Sequence, residues 1–468
     1  MQNFRGFQDA SIDLKPLTVL LGPNSAGKSS FGHALAAMAH AHRSFANTPQ
    51  ATLTPRSPED ASAWPVDLGV TRDLRTHGAQ GPVKIGLRTS EGWIELGFGS
   101  DSIAELLLSY IRHPRGFEDP ARSGVIPVAP QLTENAQIAQ TGFKEGVRTE
   151  QNDSARYYEL QRLGVMQWQE GGEDVFVILD GLVLKAATHK SGTASLLSGT
   201  SQTELGFFLE NLAYLRAIRK RPSRTYEIGI GKPQPIGYEG EWTATLLHKQ
   251  GRDPVTYANL PPIPETVEEA QRLIGVTTAR ETSTLIEAVE AWLKRLGLAS
   301  SLSSKPVNDN PDRLEILAAL EDQKTHNLAE IGFGVSQVLP ILTAGFLQPE
   351  KSLFVVDLPE AHLHPRPQAD LADFFCSLAL SNRFSLVETH SEMFFHRLRL
   401  RAEMDENLAR NIAVYFIDKP KEGFCSHPRR VGLEFNEQIS WPDGFLQEAW
   451  EIESQIEAVR HAKALLKK

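Results

Sequence analysis

Short apolar runs alternate with longer stretches of helical periodicity along this chain, the pattern of an α/β protein. Leu17-Thr-Val-Leu-Leu21 reads as a buried strand. The stretch from Ser29 to Ala39, rich in helix formers, reads as the helix that follows it. Two further apolar runs, Lys351–Asp357 and Phe384–His390, end in polar residues and read as strands of the same kind. Before the first of these runs, residues 1–16 predict a strand, a turn and a second strand, and the chain begins abruptly within that pattern. Val83–Leu87 and Trp93–Phe98 predict two strands with polar turns between them, Ala104–Ile111 a short helix, and Val175–Val183 a pair of strands. Helical character returns over Glu204–Lys220, and Pro264–Leu296 predicts two helices whose apolar positions read as core. Ile331–Leu342 pairs a glycine turn with a helix starting at an N-cap Ser336, so that Pro340 falls in the first turn or just past it. Heptads do not persist beyond about two repeats, which argues against a long coiled coil.

These elements divide the chain into an N-terminal half-domain (1–100), an insertion with a mixed α/β lobe (101–260), a helical segment (261–325), a second half-domain (326–420) and a C-terminal strand and helix (421–468). Residues 101–200 are the least legible and read as a lobe suited to partner specificity. With 468 residues, 41% hydrophobic and 23% charged, the chain is long enough for two or more lobes and has the composition of a globular protein. No stretch approaches the roughly 18 apolar residues of a membrane span, and no signal-peptide pattern opens the chain. Two cysteines, Cys376 and Cys425, exclude a disulfide framework and fit a reducing cytoplasm. The net charge of −10 argues against a protein coated with nucleic acid. Local basic stretches remain at Arg216, Arg219, Lys220, Arg221 and Arg224 and at Arg397, Arg399 and Arg401. Each is readable as a solvated, ion-paired face or as a nucleic-acid contact.

The strongest chemistry lies between the first strand and the first helix. Gly22-Pro23-Asn24-Ser25-Ala26-Gly27-Lys28-Ser29 fills every fixed position of G-x-x-x-x-G-K-[ST], with Ser30 continuing into the helix. Glycines let consecutive N–H groups approach phosphate oxygens, lysine adds a point charge for the β- and γ-phosphates, and the serine hydroxyl suits Mg²⁺. ATP and Mg²⁺ are the ligands this predicts. Asp357 closes an apolar strand expected beside the first one, where its carboxylate partners Ser29 at the metal. His390, at another strand end, is placed to sense the γ-phosphate or orient water. The glycines before Ser336 offer a second anion site at a helix N-terminus.

Together, Asn3–Phe7, Gly22–Ser29, Gly332–Gln337, Pro359–Pro365, Glu388–Glu392 and Trp441–Phe445 resemble the ABC-type ATPases of the RecF/SMC/OLD group. The match is best to bacterial AAA-family ATPases with a C-terminal domain of unknown function. The resemblance implies an ABC-type head, with a RecA-like core, an antiparallel β lobe and a helical or irregular insertion. It also implies a head-to-tail homodimer in which Gly334 and Ser336 of one chain contact the γ-phosphate held by Lys28 of another. Asp73 stands at the place of the Q-loop and is a candidate metal-side residue. In the group the Mg²⁺ acid is followed by a water-positioning Glu or Gln, but here the next residue is Leu358, which cannot polarise water. Either Glu360 takes that role, or hydrolysis is slow and ATP acts as a switch. His362 and His364 read as loop-shaping residues, since no third metal ligand is evident. No Toprim nuclease constellation follows. The functions this suggests are an ATPase sensor of an anti-phage defence or genome-maintenance system acting through a separate effector, a RecF-like DNA-repair ATPase, or an ATP-dependent scaffold with little turnover.

Overall fold

The computed structural model describes residues 1–45 and 75–76, isolated strands and one helix between 83 and 210, and residues 211–433 with short breaks at 229–235, 275, 277, 309, 321–323 and 419–424. Ile12–Lys28, Ala213–Lys421 and Ser426–Lys468 form one compact unit, and Met1–Ser11, Ser29–Leu212 and Glu422–Cys425 form another. The fold is mixed α/β.

The larger unit is built on a six-stranded sheet of order β12 (Ala213–Leu215), β19 (Leu353–Asp357), β20 (Phe384–Glu388), β3 (Leu17–Leu21), β21 (Ile412–Asp418), β22 (His427–Val431). The first five strands run parallel, and only β22 is antiparallel. β3 and β19 are buried at every residue, as expected for parallel strands covered on both faces. The order corrects one expectation. β19 does not pair with β3; β20 lies between them, with Asp357 opposite Glu388 and Glu388 opposite Leu20. Apolar runs of this length specify strands but not which strand is whose neighbour.

Helices α6 (Phe333–Leu347), α7 (Pro365–Leu380) and α8 (Glu392–Met404) contribute most of the aromatic core. Phe374 meets Phe346, Phe375 and Trp292 edge-on at 5.4, 5.5 and 5.3 Å. Each such buried ring contributes about 1.5–3 kcal/mol relative to exposure. Trp292 comes from α5 (Leu285–Arg295), which is opened by a reciprocal Thr284–Glu287 capping box. Among the described residues this unit also has α3 (Thr243–Gln250), the exposed α4 (Val267–Leu273) and the short α9 (Glu406–Arg410). Two antiparallel sheets flank them. One is the pair β14 (Pro254–Asn259) and β15 (Ala279–Thr284); the other comprises β13 (Tyr226–Glu227), β17 (Asn310–Ala319), β16 (Ser301–Val307) and β18 (Thr325–Asn327).

The smaller unit holds α1 (Ser29–Phe45), α2 (Thr200–Glu210) and two antiparallel sheets. One has the order β2 (Phe7–Asp9), β1 (Gln2–Phe4), β4 (Val83–Arg88), β5 (Trp93–Phe98), β6 (Leu108–His113), β7 (Gly124–Pro127). The other joins β8 (Leu163–Glu170), β9 (Glu173–Asp180), β10 (Val183–His189) and β11 (Ser195–Leu196).

Three element expectations are corrected. Leu108–His113 is a strand paired with β5 where a helix was expected, because a short apolar run does not distinguish the two by periodicity. Helix α2 stops at Glu210, and Ala213–Leu215 becomes the edge strand of the central sheet. Helix α6 starts at Phe333 with Gly332 as its N-cap, which places Ser336 inside the first turn and Pro340 in the helix interior. Pro340 has no N–H to donate back to the Ser336 carbonyl. Its ring packs where a Cβ on Gly240 would come within 2.6 Å, so Gly240, at φ +77°, is the residue that lets the chain pass it. No helix among the described residues is long and apolar enough to cross a membrane.

Candidate nucleotide site

The loop after β3 takes the shape its glycines allow. Gly22 has φ +141°, and a Cβ there would lie 2.4 Å from the Ile417 carbonyl oxygen; Gly27 has φ +98°. Neither position tolerates a side chain without strain. Pro23, Asn24 and Ser25 are exposed, with Ser25 itself left-handed at φ +62°, while Ala26 is buried beneath them. Ala26 N–H turns back to the Pro23 carbonyl at 3.4 Å and closes the loop. Lys28 is buried and folds back on the loop, its Nζ donating to the carbonyls of Gly22 (3.0 Å) and Pro23 (2.9 Å), with Glu388 at 4.0 Å. Burial pulls its pKa down, and the carboxylates of Glu388 and Glu360 oppose that. Ser29 and Ser30 follow as the first residues of α1, in the smaller unit.

Around Lys28 the sheet gathers acids. Asp357 and Glu388 face each other in register at the ends of β19 and β20. Asp357 is buried and receives a 2.5 Å hydrogen bond at Oδ2 from the Tyr214 hydroxyl on β12. Burial pushes its pKa up to about 7 and the Glu388 charge adds to this, while the Tyr214 hydrogen bond and Arg219 hold it down. Arg219 approaches from the turn after β12, its Nη2 donating to the carbonyls of Asp357 (2.8 Å) and Leu358 (3.2 Å). Glu360 accepts at Oε1 from the His390 backbone N–H at 2.7 Å, and its Oε2 is buried without a protein partner. Desolvation raises the Glu360 pKa. The exposed His390 is held toward the neutral form, first by desolvation and next by the charge of Lys28, against a hydrogen bond to the Gly22 backbone. Among the described residues no three ligands are gathered closely enough to hold a metal by themselves, but the carboxylates of Asp357 and Glu388 are the hard oxygen donors that Mg²⁺ takes beside phosphate oxygens and water.

Lys28, Asp357, Glu360 and His390, all expected from the sequence, therefore converge. Glu388, Tyr214 and Arg219 join them unforeseen. Glu388 carried two signals, its place at the end of an apolar strand and its position in the Glu388–Glu392 motif. Tyr214 sits in a run whose helical spacing hides the strand Ala213–Leu215. Gly334 and Ser336 have other neighbours. Gly334 borders Leu298, Leu363 and His362, and Ser336 is buried with its hydroxyl donated to Phe333 O at 2.8 Å. The exposed tip of α6 is formed by Gly332 and by Phe333, whose ring lies 5.6 Å from that of His362. Asp73 lies outside the described residues.

The two basic stretches divide residue by residue between interior partners and exposed positions. Arg219 is only 3% exposed and serves the site. Arg216 pairs with Glu239 at 3.6 Å and lies over the Tyr238 ring, and Arg224 pairs with Glu330 at 2.7 Å. Lys220 and Arg221 remain exposed. In the second stretch Arg401 is buried and Arg397 largely so, both bound to Asp373, so charge density in the sequence marked an interior network there.

Two segments match family models. Residues 1–76 match "AAA ATPase domain", and residues 212–395 match "AAA domain, putative AbiEii toxin, Type IV TA system". The first contains the phosphate loop and the second Asp357, Glu360, Glu388 and His390. No curated protein matches the chain. Among solved structures, the SMC head domain from Thermotoga maritima is similar at 10% identity and TM-score 0.34, covering 92% of this chain and 96% of that one. An Smc head domain with an extended coiled coil from Pyrococcus furiosus, bound to the C-terminal domain of ScpA, gives 12% and 0.34 over 97% and 98%. A structure concerned with ATP-driven dimerisation and DNA-stimulated activation of SMC ATPases gives 14% and 0.25 over 37% and 91%.

Proposed function

We propose that this chain, which carries AAA-family ATPase domains, is an ATP-gated regulatory subunit whose nucleotide site is completed by a second copy. The convergence of Lys28, Asp357, Glu388 and Glu360 at the ends of three adjacent strands and the loops after them carries this reading. The amides of Gly22–Gly27 and Lys28 take the phosphates. Mg²⁺, when bound, neutralises charge on the β- and γ-phosphates. Asp357 and Glu388 are the acids that fit it, and Ser29 is assigned to it by its place in the motif. With Leu358 after Asp357, Glu360 is the residue that accepts the proton of the attacking water, and neutral His390 orients it.

The tip of α6 supports completion by a partner. Gly334 borders Leu298, Leu363 and His362, the Ser336 hydroxyl is turned onto Phe333 O, and Phe333 is 50% exposed beside His362. ATP would then join two heads and hydrolysis would part them. In this proposal a separate effector supplies the output. The AbiEii-type description of the second matched segment favours a defence setting. A cytoplasmic location belongs to the same proposal. The exposed Lys220 and Arg221 favour a second reading, direct DNA contact, which would show as binding that weakens steeply with salt.

The test is phosphate release and mass by light scattering with and without ATP, for the parent, Lys28→Ala and Glu360→Gln. Lys28→Ala should lose both turnover and ATP-dependent association. Glu360→Gln should bind ATP, turn over about 10²-fold more slowly and accumulate as a dimer. A parent that stays monomeric at saturating ATP overturns the shared site, and one whose turnover survives Lys28→Ala overturns the assignment of the loop.

A further inference from the structure

The turn that carries Glu360 away from β19 is strained and is held from one side by a buried cation. Leu358, the residue directly after Asp357, has φ +45°, a left-handed conformation that a leucine adopts only when its surroundings impose it. Its N–H donates to the Glu388 carbonyl at 2.8 Å, and its carbonyl accepts from Ala361 N–H at 3.2 Å and from Arg219 Nη2 at 3.2 Å. The same Nη2 reaches the Asp357 carbonyl at 2.8 Å. One guanidinium nitrogen thus grips both peptide carbonyls at the point where the chain leaves the strand.

Arg219 is itself rigidly based. Arg216 N–H donates to Tyr238 O at 2.8 Å and Lys220 N–H to Glu239 O at 2.9 Å, fixing the segment on either side of it. Its Nε and Nη1 are buried with no protein partner. Burial lowers its pKa to about 10, against the charges of Glu360 and Asp357, so it stays a cation at neutral pH. A buried cation with two unsatisfied nitrogens is costly, and such a group in a folded protein calls for a reason. Neutral donors could anchor two carbonyls. A cation that feels the charges of both Glu360 and the buried Asp357, with Glu360 Oε2 itself unsatisfied, does more than anchor.

We propose that Arg219 is a positioning residue for ATP hydrolysis: it holds the Asp357–Leu358 turn in its left-handed form and so sets Glu360 for proton abstraction in place of the absent acid at 358. The inference rests on the reading of Glu360 as the base. In the step it serves, water oxygen bonds to the γ-phosphorus as the bond from that phosphorus to the β,γ-bridging oxygen breaks. ADP leaves with the electron pair, and the water proton passes to Glu360.

The test uses the full chain. Arg219→Met keeps the bulk and removes charge and donors; it should lower kcat by about 10²-fold while KM for ATP and the affinity for a fluorescent ATP analogue stay within about threefold. Arg219→Lys keeps a cationic donor and should recover part of that loss. The decisive readout is a cycle: Arg219→Lys should slow the parent several-fold and leave the residual turnover of Glu360→Gln unchanged, because both act through one group. An equal cost in both backgrounds, or a kcat for Arg219→Met within about threefold of the parent, overturns the role of Arg219. Turnover undiminished by Glu360→Gln instead overturns the assignment of the base. If Arg219→Met fails to melt cooperatively, the Arg219→Lys cycle alone decides.

Discussion

The larger unit buries two groups of charges, one around Asp373 and one around Asp357, and resolves them differently. Asp373 is fully buried, and its carboxylate is matched by Arg401 (Nε to Oδ1 2.7 Å, Nη2 to Oδ2 2.9 Å), Arg397 (2.9 Å) and Arg295 (2.7 Å). Arg401 spends its remaining nitrogen on the Pro261 carbonyl at 2.7 Å, and Arg397 also reaches Asp370 at 3.1 Å. Around Asp357 three carboxylates crowd one lysine and one arginine. Asp357 is pushed up to about 7, Lys28 is turned onto its own loop, and atoms of Glu360 and Arg219 have no protein partner. The first group is closed and ties α5, α7 and α8 together. The second is left open, which is the condition a site must meet if a ligand is to supply the missing charges.

The largest effect should come from breaking the closed group. Asp373→Ala leaves Arg401, 1% exposed, without its counter-charge, and should lower unfolding free energy by about 3–5 kcal/mol. Urea unfolding measures this, and turnover per folded molecule should be unaffected. A loss below about 1 kcal/mol would mean the Asp373 network is no more structural than an exposed pair.

The open group should respond with the opposite sign. Asp357 has its carboxyl pKa raised from 3.8 to about 7, so the folded protein retains a proton that the unfolded chain releases. The stability this gives is fully present below the unfolded value and is lost as pH rises through about 7. Asp357→Asn, which carries no charge to bury, should therefore gain on the parent between pH 5 and pH 8 in Mg²⁺-free buffer. The gain should be about 2 kcal/mol, less than the full shift implies because Glu388 shares the titration. Turnover should be lost. Unfolding curves at both pH values check it; a variant less stable than the parent at pH 8 would place Asp357 with Asp373 as a structural acid.

The same contrast explains what the sequence made legible. Gly22–Ser29 was readable because phosphate chemistry demands fixed residue types at fixed spacing within one short segment. Asp357 and His390 were readable as polar ends of apolar strands. Strand order was not, because hydrophobic period says which residues are buried and leaves the neighbour open; the insertion of β20 between β3 and β19 is what makes Glu388 a member of the site. The arginines misled for a related reason. Charge density along a chain cannot separate a surface from an interior network. Arg219 and Arg401 both lie in basic runs, and each is buried against a carboxylate or carbonyl more than twenty residues away. Tyr214 and Arg219 were further masked by a four-residue apolar run that continued a helical pattern across Asn211.

Tyr214→Phe should give the smallest effect and the sharpest reading of the open group. It removes one hydroxyl, the 2.5 Å donor to Asp357 Oδ2, and keeps the ring in its buried place on β12. At pH 5 Asp357 is protonated and the lost bond is a neutral one; at pH 8 the carboxylate is charged and loses a donor it cannot replace from solvent. The cost should therefore rise from a few tenths to about 1 kcal/mol between those pH values, the reverse of the trend for Asp357→Asn. In the Asp357→Asn background that rise should vanish, since the charge that made the hydroxyl valuable is gone. A cost that is pH-independent and near that of Asp373→Ala would show Tyr214 and Asp357 to be a closed pair, and the distinction between the two groups would fall.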